Sequence, residues 1–443
     1  MGHGINLLIR PLLSIFINSP LFRQHISPHI NKEYNIRPES LLTNMFALLL
    51  VVFINFVGIG ALIPILPFTV VDTLGQSATV MTALLASFAL AMFVANPILG
   101  WLSDRIGRRS VLVVSLFIGA LAHVWFAFST DIIHMFAARI LAGLAAGNTG
   151  VIQAIIADRV KSEDRAKYMG LLGAAIGTGF VAGPALGGIL SGLGGGPLHQ
   201  APFLVAAIFS VIAFGLALRL SETTIAAPVN NAPQTKTPLT RRIGDILASP
   251  LALYAIAYFC LNLAFAQVEA SFVLLLKDYL DFDARATGWL FTYVGVCIVM
   301  IQAGLINPVV RKFGEVGTIA IGAILLATGQ GMIVLMSLDM FFGNAFPLAQ
   351  ILLATTAVCF GYALSNPSLT AAVSNIADRN VMGGSLGTVQ GFGSLGQVFG
   401  LVIAGPLYEL GGAHYSFGVG TIVTILLLAL VTQLVRPNRS QTN

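Results

Sequence analysis

The chain has 443 residues, of which 56% are hydrophobic and only 9% are charged. Soluble globular proteins carry about a quarter charged residues, so this composition excludes a soluble multidomain protein and a disordered one. With 23 Lys and Arg in total, nucleic-acid binding is not expected either.

Residues 1–44 precede the first long apolar stretch and are predicted to be a cytoplasmic extension. Residues 5–22 are apolar but contain Arg10, Pro11 and Pro20, and no small-residue cleavage site follows them. A signal peptide is therefore not predicted. An interfacial segment and a start codon misassigned ahead of Met45 are both open alternatives.

Twelve apolar stretches follow, each about 20 residues or longer, which is enough to cross a hydrocarbon core of roughly 30 Å. They lack the alternating pattern of barrel strands, so they are predicted to be helices. The predicted fold is an all-α integral membrane protein. The twelve spans lie at residues 45–71, 79–103, 110–129, 131–157, 166–193, 201–220, 251–277, 286–308, 315–337, 346–370, 384–408 and 414–435.

The spans divide into two halves. Residues 221–250 are rich in proline and polar residues and are predicted to be a flexible cytoplasmic linker between two six-helix bundles, residues 45–220 and 251–436, with a short tail at 437–443. A basic turn with glycine follows the second and the eighth spans, and a Gly-Pro pair recurs late in the fifth and eleventh. This repeat predicts two pseudo-symmetric bundles, as in transporters that rock about a midplane site.

Basic residues set the orientation. Only Lys277 and Arg285 fall on one side, Arg139 lies within a span, and every other Lys and Arg falls on the opposite side. Because positive residues accumulate on the cytoplasmic side, both termini are predicted to be cytoplasmic.

The loop after the second span combines glycines, one carboxylate and several arginines in the sequence GWLSDRIGRR, which begins at Gly100. Asp104 is expected to cap the start of the eleventh span. Arginines beside it are expected to pair with acids of the fourth and eleventh spans and hold the bundles shut on this face. Ordinary membrane anchoring by the arginines is the alternative. The predicted gating residues are Gly100, Asp104, Arg105, Gly107, Arg108, Asp158 and Asp378.

The fifth span carries closely spaced small residues and a proline, which let helices approach and bend. We expect this contact to lie between the bundles, where bending could seal one access route; a tight helix contact without a further role is the alternative. The residues are Gly170, Gly179, Gly183, Pro184, Gly187 and Gly188.

Two charged residues, Glu269 and Arg139, lie well inside spans, where ionisable groups are costly and suggest function. Each is eight residues from the predicted outer end of its helix, or about 12 Å at 1.5 Å per residue. We expect Glu269 to carry the proton with Arg139 as its electrostatic partner; a permanent structural pair is the alternative.

Polar residues in the first, seventh and tenth spans are candidates for substrate binding: Asn55, Asn262, Gln267 and Asn366. His123 is expected to be a packing residue. The cysteines Cys260, Cys297 and Cys359 sit singly in apolar stretches and are expected to pack as small hydrophobic side chains. Neither a metal site nor a cofactor is predicted.

These motifs resemble the major facilitator superfamily. GWLSDRIGRRS is similar to its loop signature, the fifth-span pattern to the antiporter signature of its twelve-span drug:proton exporters, and the stretch from Arg139 to Gly147 to its third motif. The stretches 55–67 and 139–188 resemble tetracycline exporters in particular. The resemblance, over residues 45–436, implies alternating access, proton-driven export, an inner-membrane location and a single working chain.

The sequence departs from tetracycline exporters at three places. Where they carry embedded acids, it has Asn55, Ala122 and Gln330, which argues against tetracycline itself and against that proton route.

An enzyme is not predicted, since the sequence lacks a metal motif, a Walker loop and paired catalytic acids. One GxSxG match at Gly383 opens a helix and lacks the context of a nucleophile elbow. The prediction is a proton-coupled exporter of small amphipathic or drug-like compounds in the lipid bilayer. A proton symporter or facilitator that imports a metabolite is the first alternative, and a receptor or scaffold without transport is the second.

Overall fold

The computed structural model describes residues 38–160, 162–191, 200–220, 244, 249, 251–340, 346–376 and 382–435. The N-terminal extension as far as residue 37, most of the predicted linker, the predicted tail and Asp378 lie outside these ranges. The chain divides after residue 47, and the part that begins at residue 48 contains all of the described helices except the start of the first one.

The described residues form helices without a strand, which confirms the all-α prediction. Short π-helices, Phe68–Thr73 and Ile301–Leu305, follow the first and eighth α-helices. The α-helices are α1 (Pro38–Gly60), α2 (Ala78–Ile106), α3 (Arg108–Ala127), α4 (Ile132–Arg159), α5 (Ser162–Leu190), α6 (Gln200–Ala217), α7 (Leu251–Leu280), α8 (Ala284–Met300), α9 (Ile306–Ser337), α10 (Pro347–Ile376), α11 (Met382–Gly411) and α12 (Ala413–Val435).

Ten helices in the described ranges are long and apolar enough to cross a bilayer. Two shorter apolar helical segments, Asn44–Gly60 within α1 and Ala284–Met300 (α8), lie at the places of the predicted first and eighth spans. The structure therefore confirms ten of the twelve predicted spans, and the other two stay predictions.

Gly107 and Gly314 have positive φ, and each ends a helix without an intervening loop. Gly107 (φ 98°) separates α2 from α3, and Gly314 (φ 68°) breaks the helical segment between α8 and the body of α9. Residues with a Cβ rarely adopt such angles, which explains glycine at both turns. The two turns are the ones that the internal repeat of the sequence had paired.

Large apolar side chains on the outside of the helices, such as Ile133, Leu410 and Ile422, are exposed. This surface suits contact with acyl chains, because helices satisfy most of their backbone hydrogen bonds internally. We call the helix ends that carry Asp72 and Lys277 the predicted outer face, and those that carry Gly107 and Gly314 the predicted cytoplasmic face.

Candidate functional site

One face of α7 carries the residues that define the candidate site. Tyr258, Asn262, Phe265 and Glu269 follow one another at intervals of three or four residues, which places them on one stripe of a helix. The stripe runs from the aromatic ring of Tyr258 at the cytoplasmic end to the carboxylate of Glu269 toward the outer end.

Helix α10 packs against this stripe through two side chains and one backbone carbonyl oxygen. The Tyr258 hydroxyl contacts the Thr370 hydroxyl and donates to the Asn366 carbonyl oxygen at 3.3 Å. The Tyr362 hydroxyl donates to Asn262 Oδ1 at 3.4 Å, and its ring stacks on Phe265 with centroids 3.8 Å apart. The stripe is therefore polar and aromatic together.

Glu269 is half-buried at the end of the stripe. Gln397 of α11 donates from Nε2 to Glu269 Oε2 at 3.0 Å. A buried carboxylate needs hydrogen-bond donors or a nearby positive charge to remain charged. Gln397 supplies one donor, and the helices α7 and α11 fix both side chains.

Arg139 of α4 is only 4% exposed and lies over the Phe88 ring of α2, 4.6 Å from the ring centroid. Its Nε and Nη1 find no hydrogen-bond partner among the described residues. Gly143, one turn further, lets α4 approach α2, because a Cβ there would lie 2.8 Å from the Ala91 Cβ and would overlap the Phe88 carbonyl oxygen. The third sequence motif thus packs α4 on α2 and places the guanidinium on the ring.

Glu269 and Arg139 interact electrostatically across the two halves. None of the ion pairs formed by the described residues joins them directly within 4 Å. The carboxylate and the guanidinium thus act on each other without forming an ion pair, and Nε and Nη1 of Arg139 are buried without a partner among the described residues.

The four predicted substrate residues differ in their surroundings. Gln267 is fully buried, its Nε2 donates to the Gly400 carbonyl oxygen at 3.0 Å, and its Oε1 accepts from the Ser416 hydroxyl at 3.0 Å. Both ends of its amide are used to join α7 to α11 and α12. The prediction that Gln267 is open to substrate is therefore wrong.

Asn55 lies inside the first half. It is 8% exposed and lines a small cavity together with Ser115, His123 and Asn148. Every residue that lines this cavity comes from α1, α3 or α4, so Asn55 contacts neither α7 nor α10 there. His123 is buried and its Nδ1 lies 3.0 Å from the Ser210 hydroxyl, as expected of a packing residue.

Asn262 and Asn366 lie at the stripe. The Asn262 Nδ2 donates to the Tyr258 carbonyl oxygen of its own helix at 2.9 Å. The Asn366 side-chain amide is half-buried and makes no hydrogen bond to the part of the chain that the structure describes. Asn366 is thus the predicted polar residue with the most freedom to contact a ligand.

The predicted gating loop is organised around Arg108. Its guanidinium contacts the Asp104 carboxylate, donates from Nε to Asp158 Oδ2 at 3.0 Å and donates from Nη1 to the Ser103 hydroxyl at 2.9 Å. Arg105 lies over the Trp101 ring, 3.9 Å from the centroid.

These contacts stay within the first half, because Asp158 lies in the last turn of α4. The expectation that pairing with Asp158 closes the two bundles is therefore wrong. Gly100 has no neighbour within 4 Å of an added Cβ, and the bridge to Asp378 falls in a part of the chain that is not described.

The glycines of α5 form two stripes with different partners. A Cβ at Gly179 would lie 2.8 Å from the Phe56 Cβ, and one at Gly183 would lie 2.6 Å from the Val57 carbonyl oxygen, while Gly187 abuts Ala61. These contacts join α5 to α1 in the same half, and Pro184 lies beside Gly60. The expectation that this stripe lies between the bundles is wrong for these three glycines.

The second stripe of α5 does cross between the halves. Gly188 lies against Gly288 of α8. Val181 lies against Gly295, which is about two helical turns further along α8. Gly170, by contrast, has open space around it. Small residues on both helices are needed for backbones to approach this closely.

Sequence reasoning did not identify Phe88, Tyr258, Phe265, Tyr362, Thr370 or Gln397 as part of the site. A signal for most of them exists: counting back from Glu269 in steps of three and four residues gives Phe265, Asn262 and Tyr258. No comparable signal marks Phe88, which is one of 29 phenylalanines.

Three comparisons with known proteins agree with this fold. The chain is 30% identical over 403 residues to "Multidrug resistance protein 1" of Bacillus subtilis, covering 89% of this chain and 95% of that one. It is 30% identical over 393 residues to "Tetracycline resistance protein, class G" of Vibrio anguillarum, covering 88% and 96%. The crystal structure of a D-xylose-proton symporter superposes with a TM-score of 0.70 at 16% identity, covering 88% and 98%.

Residues 48–383 match the sequence profile of the Major Facilitator Superfamily. This match takes in the gating loop, both glycine stripes of α5, Arg139 and the whole polar stripe of α7 and α10. The helical architecture, the embedded charges and the profile lead to one conclusion: this chain belongs to the Major Facilitator Superfamily.

Proposed function

We propose that the chain is a proton-coupled exporter of small amphipathic or drug-like compounds that works by alternating access. The observation that carries this proposal is the half-buried Glu269 carboxylate at the end of an aromatic and polar stripe. Two relatives at 30% identity are named as resistance proteins, one for multiple drugs and one for tetracycline.

The stripe is suited to an amphipathic ligand. The stacked rings of Phe265 and Tyr362 offer an apolar surface, and the free amide of Asn366 offers a donor and an acceptor. Glu269 at one end supplies the charge. Such a site holds compounds through apolar contact area and one ionic or hydrogen-bonding group. This mode of binding favours a broad range of substrates.

Glu269 couples this site to protons. When ionised, its carboxylate is stabilised by Gln397 and by the field of Arg139. When a proton binds, the attraction to Arg139 across the two halves is lost, and the half that carries α7 is released from the half that carries α4. Opening to the outside admits a proton to Glu269, and opening to the cytoplasm releases it.

The export proposal includes a location and a topology. We place the chain in the inner (plasma) membrane with both termini in the cytoplasm, and as a single working chain with small molecules, protons and lipid as its partners. The distribution of basic residues supports this orientation.

An efflux screen tests the proposal. A bacterial strain without its major pumps would express the intact chain, Glu269→Gln or Asp104→Asn, with Glu315→Gln as a matched control because Glu315 is a half-buried acid that accepts a hydrogen bond from Asn375 within the second half. The intact chain and the control should lower the accumulation of at least one amphipathic compound. Proton-coupled efflux by Glu269→Gln at normal expression would refute the proton role of Glu269.

A symporter or facilitator for import is the alternative, and it uses the same fold as the D-xylose-proton symporter. Inside-out vesicles with an acidic interior separate the two. An exporter accumulates its compound in these vesicles under the proton gradient, whereas an importing symporter does not. A scaffold without transport would show neither accumulation nor a substrate-dependent pH change.

A further inference from the structure

Glu409, near the end of α11, caps the start of α2 at the predicted outer face. Its Oε1 accepts a hydrogen bond from the Thr79 backbone N–H at 2.6 Å. Thr79 is the second residue of α2, where backbone N–H groups have no partner within the helix and the helix dipole is positive. A carboxylate of the second half therefore stabilises a helix end of the first half.

Gly405 makes this approach possible. It lies one helical turn before Glu409 on the same side of α11, and a Cβ there would come 2.5 Å from the Thr79 Cα and 2.9 Å from the Ala78 carbonyl oxygen. Any larger residue would push α11 away from α2. The glycine and the glutamate thus act on the same turn of α2.

A second bridge joins the halves at the same face. Lys277 of α7 forms an ion pair with Asp72, which belongs to the π-helix after α1. The Tyr408 hydroxyl donates to Asp278 Oδ2 at 2.6 Å, which ties the end of α11 to the end of α7. The cap on α2 and the ion pair therefore belong to one connected group, here called the outer latch: Asp72, Thr79, Lys277 and Glu409.

The predicted cytoplasmic face differs. In the described ranges, the ion pairs of Arg108 with Asp104 and Asp158 stay within the first half. Among the ion pairs of the described residues, the one between Lys277 and Asp72 bridges the halves. The polar contacts of the outer latch thus join the two halves at the outer face, where Gly188 of α5 also lies against Gly288 of α8.

We propose that the outer latch holds the transporter closed to the outside, and that opening outward requires Glu409 to leave the start of α2 and the pair of Lys277 with Asp72 to break. This inference rests on alternating access.

Spin-label distances in the full chain test the latch. Ile133 at the start of α4 and Met340 after α9 are 76% and 72% exposed, on different halves of the outer face. They would be changed to Cys and labelled in a chain whose three native cysteines are replaced by Ser. Removal of one charge-assisted hydrogen bond should shift the ratio of closed to open molecules by about tenfold.

Glu409→Gln and Asp72→Asn should each raise the long-distance fraction, and together they should raise it more. Glu315→Gln is the matched control and should leave the distribution unchanged. If both latch variants fold and match this control, the proposal is wrong. Because the labels report distance without any substrate, a latch that opens in a chain with no detectable efflux would refute the export proposal alone.

A disulfide provides a second test that does not depend on the stability of the Gln variant. Asp72→Cys with Lys277→Cys should form a bond on oxidation that stops transport, and a reductant should restore the rate of the unbonded double variant. Each single variant should be insensitive to oxidation. Full transport by the bonded chain would overturn the proposal.

Discussion

Gly188 of α5 and Gly288 of α8 are so close that a Cβ added to either one would overlap the Cα of the other. This contact joins the two halves of the molecule near the predicted outer face. Gly188→Ala should therefore separate α5 from α8 and lower the transport rate, at a cost of about 1–3 kcal/mol to the closed form. The spin-label pair at Ile133 and Met340 measures the separation directly.

Gly170→Ala is the control for that substitution, since nothing lies within 4 Å of a Cβ at Gly170. Transport and label distance should stay as in the unchanged chain. Equal behaviour of the Gly188 and Gly170 variants would contradict the role of the contact between α5 and α8.

A substitution one residue earlier should act differently. Gly187 abuts Ala61 of α1 within the same half, so Gly187→Ala should destabilise the first half by about 1–3 kcal/mol and not shift the two halves apart. Thermal unfolding of the purified chain in detergent measures the loss. A larger label distance without a lower unfolding temperature would show that this glycine also acts between the halves.

Substitutions at Gln267 and Asn366 should separate effects on stability from effects on substrate binding. Gln267→Leu leaves the Gly400 carbonyl oxygen and the Ser416 hydroxyl without the bonds that they make to Gln267, at a cost of about 1–3 kcal/mol in unfolding free energy. Asn366→Ala removes a half-buried amide and should raise the KM for a transported compound with little change in stability. The reverse pattern would restore Gln267 as a substrate residue.

Transport should depend on the shape of the cationic group at position 139 as well as on its charge. Arg139→Lys keeps the positive charge but loses the planar group over Phe88, so transport should fall while folding persists. Phe88→Leu should lower transport by a smaller factor, equivalent to about 0.5–2 kcal/mol of lost cation–π energy. Efflux rates normalised to the amount of protein in the membrane provide the measurement, and a fully active Arg139→Lys would leave charge alone as the requirement.

Hydropathy and loop charges were sufficient to predict the helical fold, because a bilayer leaves little choice for the backbone. The repeat of Gly107 and Gly314 was visible for the same kind of reason, since few residues other than glycine adopt a positive φ.

The site could be predicted only in part. Glu269 and Arg139 were conspicuous because charge inside a span is rare. Gln267 and Asn262 are five residues apart on α7 and have similar chemistry, yet one lies on the buried side and the other on the stripe. Which neighbours an amide meets depends on the rotation of three helices, and one sequence does not determine that rotation.

The turns at Gly107 and Gly314 also constrain motion. Each turn consists of a single non-helical residue. Helix α2 can therefore move very little relative to α3, and the end of the eighth predicted span can move very little relative to the body of α9. The two helices at each turn must therefore move together, and a displacement at one end of α2 also displaces α3. Inserting a few flexible residues at Gly107 would uncouple the motion of α2 from that of α3, while every buried contact of the helices could still form.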